Sequence, residues 1–430
     1  MMSASHNTTP AMKFLHLLTN LQLPHTALAE WGSPFRDLLP VLLQYTNTET
    51  ISKLMQTSRC VLQKIVETPK PFPLRLVLTK DICNHMLRAK SCLMNLREAT
   101  RIQRFSLELC VNSNGERSHD ALHLVQGLTL FIIPGHEDHV HTMIIQSLDL
   151  AEDESVTSSL ARCISHLHGL ISLDISGLHC HTASITRESI IDTHLVPELT
   201  ALSRLESLKV NLRTLPVLRH LDTVNTGLEV LKIDGTPVGG EQSDIFRTLS
   251  QLRMTSLGEL SCEKMAVSTG LQASTLDSFL RKQRTLSRLS LRLCNVDSPA
   301  CDSMVKLLGN QSQLKGLELK TFHVEDGCYG RVCEQVEQMT GLESLTLDGS
   351  PYTPEQVETW CRSVCNMTRL TSLTLNYLTF SQTGVKELTA ALRNIPRLRK
   401  LDLRNIRCPD TGMSDFAAAL TTLGNLTLVK

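Results

Sequence analysis

The residues with the strongest claim to chemistry sit in one short stretch. His136, His139 and His141 stand beside Glu137 and Asp138 in Pro-Gly-His-Glu-Asp-His-Val-His-Thr. Imidazole and carboxylate donors at this density could hold a divalent cation. A zinc site wants four ligands in a tetrahedral array, usually spaced Cys-x2–4-Cys or His-x3–5-His. This stretch follows Pro134 and Gly135, so a solvated polar turn is expected instead. His179-Cys180-His181 is weaker, because adjacent residues of a strand point to opposite faces. Cys361 and Cys365 would lie one helical turn apart and could bind a metal only with partners from elsewhere. They are expected, with Cys328 and Cys333, to be core-facing thiols. There is no Gly-x4-Gly-Lys-Ser/Thr phosphate loop, no Gly-x-Ser-x-Gly elbow and no His-Glu-x-x-His helix. Gly239-Gly240 alone does not cradle a phosphate. No catalytic residue, metal or cofactor is therefore expected, and the chain reads as a non-enzyme.

Composition narrows the alternatives. The chain has 430 residues, with 43 Lys+Arg against 43 Asp+Glu. A formal net charge of zero argues against nucleic acid as partner, since phosphate contacts demand a basic excess. Residues are 41% hydrophobic but only 4% aromatic, so the core must be aliphatic. The start, Met-Met-Ser-Ala-Ser-His, lacks a basic region leading into a long apolar one, and the apolar run Leu128–Pro134 is too short to span a bilayer. No membrane association is expected. The 14 cysteines are accordingly expected to be reduced, small core residues in the cytoplasm or nucleus.

The elements that would position any site are written as a repeat. Leu-x-x-Leu-x-Leu recurs at Leu286, Leu314, Leu342, Leu370 and Leu398, each 28 residues after the last. Looser copies begin at Leu257, Leu228, Leu205, Leu170 and Ile145 (Ile145-Leu148-Leu150), and weaker ones at Val125 and Ile102. A last copy is read as Leu423-Leu426-Leu428. The alternation inside the motif predicts a short strand with one buried face. An apolar residue follows ten places after the first leucine: Val296, Val324, Tyr352 and Phe380. The segments between have helical spacing: Val385, Leu388, Leu392 and Ile395; Val357, Trp360, Val364 and Met367; Tyr329, Val332, Val336 and Met339. Strand and helix in one repeat cannot bury their apolar faces alone, and stacking solves this. Between Leu170 and Leu257 the spacings become 35, 23 and 29, with an insertion near His179–Pro197 and a Gly/Pro-rich stretch at Gly235, Pro237, Gly239 and Gly240.

This pattern resembles the ribonuclease-inhibitor-like class of leucine-rich repeats. The resemblance implies an α/β solenoid, a horseshoe with parallel strands on the concave face and helices on the convex face. It covers residues 101–430 and is regular from 257. The family usually places Asn or Cys eight positions after the first leucine. Cys294 fits, but Phe322, Ser350, Leu378 and Ile406 do not, so less regular turns are expected.

Before the repeats, residues 1–12 read as a disordered tail and 13–68 as a small helical module. Residues 69–100 read as a linker, with a strand at Leu74–Leu78 and a helix after it. The stretch Leu38–Val66 resembles an F-box in its Leu39-Pro40 pair, the capping turn Asn47-Thr48-Glu49 and Ser58-Arg59. It departs from the family at Leu62, where a Trp is usual, and at Val41, where an acidic residue is common. The resemblance implies that Leu39, Pro40, Leu43, Ile51 and Leu54 face the adaptor subunit of a cullin–RING ubiquitin ligase. The alternative is a cap over the first repeat of a scaffold or inhibitor with no ubiquitin link. In either case a protein ligand is expected on the residues that alternate off the strands: Arg288, Arg292, Glu318, Lys320, Asp348, Asn376, Lys400, Asp402 and Arg404.

Overall fold

Alternation within each motif becomes alternation of burial in the strands. The computed structural model describes residues 21–22, 72–78, 105–112, 125, 140–149, 154–179, 194–199, 201–212, 214–215, 217–224, 227–235, 243–292, 294–324, 326–348 and 352–429. The chain divides into two units, Met1–Leu208 and Lys209–Lys430.

In the first unit, β1 (Leu21–Gln22) runs antiparallel to β2 (Phe72–Leu78). β2 is then joined in parallel by β3 (Phe105–Asn112), β4 (Val140–Asp149) and β5 (Ser172–Asp174), while β6 (Leu178–His179) pairs with the end of β4. The parallel sheet thus reaches back to Phe72, into the stretch read as a linker. Leu21–Gln22 is strand within the segment read as helical. The rest of that helical reading lies outside the described residues. Helix α1 (Glu154–Ser165) and the short α2 (Val196–Leu199) pack together beside the strands.

One motif is displaced from its expected place. Met143 pairs with Leu173 and Thr142 with Ser172. Val140, Met143 and Ile145 therefore occupy the positions of Leu170, Leu173 and Ile175, and all six are buried. The expected triplet began at Ile145. Two overlapping apolar triplets share Ile145, and only pairing with the next strand chooses between them.

β7 (Ser207–Asn211) straddles the boundary. In the second unit, β8 (Val230–Asp234), β9 (Glu259–Glu263), β11 (Arg288–Arg292), β13 (Gly316–Lys320), β15 (Ser344–Asp348), β16 (Ser372–Asn376), β17 (Lys400–Asp402) and β18 (Leu428–Val429) form one parallel run. A second small parallel sheet joins β10 (Ala266–Val267), β12 (Asn295–Val296) and β14 (His323–Val324). The return segments are helices α3 (Val217–Val224), α4 (Ser243–Gln251), α5 (Gly270–Lys282), α6 (Cys301–Gly309), α7 (Asp326–Glu337), α8 (Pro354–Val364), α9 (Gln382–Arg393) and α10 (Met413–Thr421). Each packs on the next. Local sequence starts them. Thr269 with Gln272, and Thr353 with Gln356, close capping boxes at α5 and α8, and Pro354 opens α8.

The core lies between the strand and helix layers. The inward strand residues Leu289, Leu291, Leu317, Leu319, Leu345, Leu347, Leu373 and Leu375 are buried, as are the helix residues Val332, Val336, Val357, Trp360, Val364, Leu388 and Leu392. Each such side chain contributes about 1.5–3 kcal/mol of transfer free energy. This is a leucine-rich-repeat solenoid fold.

The turns after the strands depart from the expected chemistry. At the seventh position after the first leucine, Lys264, Thr321, Tyr377 and Asn405 are all left-handed, with φ of 56, 46, 58 and 57°. The N–H groups of Lys264, Thr321 and Tyr377 donate to the carbonyls of Arg292, Asp348 and Arg404 in the following repeat. The chain turns on backbone hydrogen bonds, so the eighth position is free to fill the core. Met265, Cys294, Phe322 and Leu378 do this, each at most 2% exposed.

The last repeat also shifts. Leu428 pairs with Lys400, so Leu426, 28 residues after Leu398, opens the final copy. Leu423 is the buried residue before it, equivalent to Ile395.

Candidate protein-binding face

Residues two, four and six places after the first leucine of each motif point away from the helices, and strand pairing sets them in rows. One row reads Glu259, Arg288, Gly316, Ser344, Ser372, Lys400. The next reads Lys232, Ser261, Ser290, Glu318, Thr346, Thr374, Asp402. The third reads Asp234, Glu263, Arg292, Lys320, Asp348, Asn376. The structure thus sets the expected face residues in rows on the second unit, save Arg404, which lies beyond the end of β17.

Asn376 is the exception. It is 2% exposed, and its Oδ1 accepts a hydrogen bond of 2.9 Å from the Arg404 backbone N–H. β17 ends at Asp402, so this amide takes over the ladder where regular pairing stops. Asn376 is therefore corrected from a contact residue to a structural one. Asn211, at the same position of its motif, is also buried, and its Oδ1 accepts from Thr214 N. An Asn six places after the first leucine was the signal that sequence reasoning passed over.

Many charges on the face are neutralised by near neighbours, some across strands and some along the same strand or turn. Glu318 accepts both Lys320 at 3.1 Å and Arg292 at 3.6 Å. Glu259 faces Lys232 at 3.8 Å, and Asp234 faces Lys264 at 3.7 Å. Arg404 holds Asp402 with Nε and a terminal nitrogen, the latter at 2.8 Å. That pairing raises the guanidinium pKa further and fixes its plane. Exposed ion pairs of this kind contribute little stability, about 0–1 kcal/mol each, but they fix where charge is presented. Tyr377 adds an exposed aromatic at the end of β16.

The groups that suggested chemistry are placed as follows. His141 lies on β4 rather than in a loop, with a buried Nδ1 that lacks a hydrogen-bond partner. His179 ends β6. His136, His139, Cys180 and His181 lie outside the described residues, as do Leu39, Pro40, Leu43, Ile51 and Leu54. Among the described residues no group of three or more His, Cys, Asp or Glu could hold a metal ion, and no helix is long and apolar enough to cross a membrane.

Burial pushes the thiols of Cys294 and Cys333 up to about 11 and about 12, and that of Cys361 higher still. Such groups stay protonated at neutral pH and are poor nucleophiles and ligands. The reading of all cysteines as reduced is corrected at one place. Cys301 and Cys328 form a disulfide, with Cα atoms 5.6 Å apart. They lie 27 residues apart, nearly one repeat, so stacking sets them side by side at the starts of α6 and α7. Cys262, Cys294, Cys333, Cys361, Cys365 and Cys408 are free thiols.

No family model matches the chain, and no curated protein matches it. Among solved structures it is similar to an internalin of Listeria monocytogenes, at 15% identity and a TM-score of 0.36, over 88% of this chain and 94% of that one. It is also similar to the leucine-rich repeat-containing protein LegL7 of Legionella pneumophila, at 16% identity and a TM-score of 0.39, over 70% of this chain and 93% of that one. Overlap this loose adds nothing to the fold, which rests on the register and burial of the chain's own repeats.

Proposed function

We propose that the chain is a non-enzymatic recruiting protein that holds a protein partner on the open strand face. The observation that carries this reading is the face itself. Three rows of mainly polar and charged side chains, aligned by strand register, stand on a packed core, with many of the charges held in local and cross-strand ion pairs. Preorganised charge of this kind sets register and excludes wrong partners. The test is site-specific photo-crosslinking with the full chain. A photoreactive residue replacing Thr346 on the strand face should yield partner crosslinks, and one replacing Lys386 on α9 should not. The reverse pattern would move the interface to the helices.

The finer reading adds a destination. The F-box resemblance of Leu38–Val66 supports coupling of the captured protein to a cullin–RING ubiquitin ligase through Leu39, Pro40, Leu43, Ile51 and Leu54. Purified cullin adaptor should then be retained by the full chain and lost with Leu39→Ala and Pro40→Ala together. No retention, beside an F-box control that retains it, leaves the scaffold or inhibitor reading. One observation favours that second reading. β1 runs antiparallel along β2, so the N-terminal segment lays a strand on the repeat sheet, as a cap does.

A further inference from the structure

Two cations on the strand face stand apart from the rest. Arg292, Lys320, Lys232 and Arg404 each lie on a carboxylate. Arg288 and Lys400 are exposed and, among the described residues, carry no ion pair. Strand pairing places them in the same row, Arg288–Gly316–Ser344–Ser372–Lys400. Four strand spacings of about 4.8 Å separate the ends by roughly 19 Å.

The row between them is small and uncharged. A Cβ built on Gly316 would lie 3.2 Å from Arg288 Cγ, so the glycine makes the room in which the arginine stem rests. Ser290 follows two residues after Arg288 on the same face. It is 8% exposed, and its Oγ has no hydrogen-bond partner. A free guanidinium and an unpartnered buried hydroxyl therefore sit together at one end of the row, and a free ammonium at the other. The carboxylates that border the row, Glu259, Glu318 and Asp402, are each already paired with a cation.

We infer that this row binds an extended acidic segment of the protein partner, with one carboxylate at Arg288 and Ser290 and a second at Lys400. The inference rests on the strand face being the protein-binding surface, and it specifies the chemistry recognised there. An extended chain advances about 3.3 Å per residue, so roughly 19 Å corresponds to six residues. Six is even, so both side chains leave the segment on the same side. The partner segment carries two acidic residues six positions apart. The residues facing Gly316, Ser344 and Ser372 meet a shallow, neutral floor and are free to vary. The segment crosses the strands, whose backbone groups are already paired in the ladder, so recognition falls to the side chains.

The probe is a set of immobilised heptapeptides of Ser, Thr and Gly, bearing Glu at positions 1 and 7, Glu at 1 and 4, Gln at 1 and 7, or Lys at 1 and 7. Binding of the full chain is measured by interferometry at low salt. The 1,7-diglutamate peptide should bind at least tenfold tighter than the other three and weaken as salt rises. Arg288→Ser with Lys400→Ser should remove that preference. Lys282→Ser with Arg393→Ser, on exposed ends of α5 and α9, should leave it intact. Absence of 1,7 binding up to millimolar chain, equal binding of the 1,4 peptide, or equally tight binding of polyuridylate through the same two residues would each overturn the inference. Crosslinks from Thr346 without the spacing preference would sink the acidic segment alone. No crosslinks from Thr346 would sink the binding face with it.

Discussion

The repeats from Leu257 onward and the stretch from Val140 to Leu228 bury their inward residues equally well, yet only one of them is regular. From Glu259 to Asp402 the strands pair without a slip, residue for residue. In the earlier stretch the pairing of β3 with β4 shifts at two points, and β5 is three residues long. Nevertheless Met143, Ile145, Leu173, Ile175, Leu208 and Val210 are each at most 1% exposed, like Leu345 and Leu373. Stability asks only that the residues three and five places after the first apolar residue of each motif reach the core. Met, Ile and Val serve there as well as Leu, and the return segment absorbs the difference in length. Constant spacing has another consequence. It aligns the outward positions into rows, and a recognition surface needs those rows.

If that is right, core truncation should cost alike in both stretches. Trp360→Ala should destabilise by about 3–5 kcal/mol and Leu173→Ala by about 2–5 kcal/mol, read from denaturant midpoints. A near-silent Leu173→Ala would show that the earlier stretch is loosely packed after all. The disulfide sharpens the contrast from the regular side. Cys301→Ser with Cys328→Ser should cost about 2–4 kcal/mol by releasing a loop of one repeat. Peptide mapping without reductant should recover the Cys301–Cys328 link. Alkylation of both residues before reduction would remove it. The buried asparagines come next. Asn376→Ala leaves the Arg404 N–H unpaired, and Asn211→Ala does the same to Thr214 N–H, so each should cost about 1–3 kcal/mol. Unequal losses would mean that the sixth position has one structural role in regular repeats and another in irregular ones.

How much was legible follows the same division. Where spacing is constant, the sequence locates the strands of the main parallel run and the helix residues that meet them, because period and stacking point to one answer; it marks Val296 and Val324 as apolar but not as the second small sheet they join. At Val140–Leu150 two apolar triplets overlap, and periodicity cannot choose between them; the pairing partner chooses. The final copy was misplaced for a similar reason, since Leu423 and Leu426 both satisfy the pattern and only the pairing of Leu428 with Lys400 decides. The disulfide was hidden because its cysteines lie in different repeats and meet only on stacking. On the face, charge and alternation revealed which side chains point outward. They did not reveal which are already paired, or that Asn376 turns inward to a backbone group. The left-handed turn was invisible, because Lys264, Thr321, Tyr377 and Asn405 have no residue type in common.

That turn carries the smallest and most discriminating comparison. Gly235 occupies the seventh position of its motif, as Tyr377 does of a regular one. A Cβ on Gly235 would sit 2.8 Å from the Lys264 carbonyl oxygen, a contact real side chains do not make. Gly235→Ala must therefore move backbone and should cost about 1–3 kcal/mol. At Tyr377 the left-handed backbone, with φ of 58°, already carries a side chain that is 57% exposed. Tyr377→Gly relieves a conformational cost of about 1–2 kcal/mol, against about 0.5–1 kcal/mol from the greater freedom of glycine in the unfolded chain. Little packing is lost, so the net effect should lie between neutral and a stabilisation of about 1.5 kcal/mol, read as a small rise in midpoint. Destabilisation by Tyr377→Gly would mean that the exposed ring supports the turn through contacts of its own. The seventh position would then be a built feature of the regular repeats rather than a strain they tolerate.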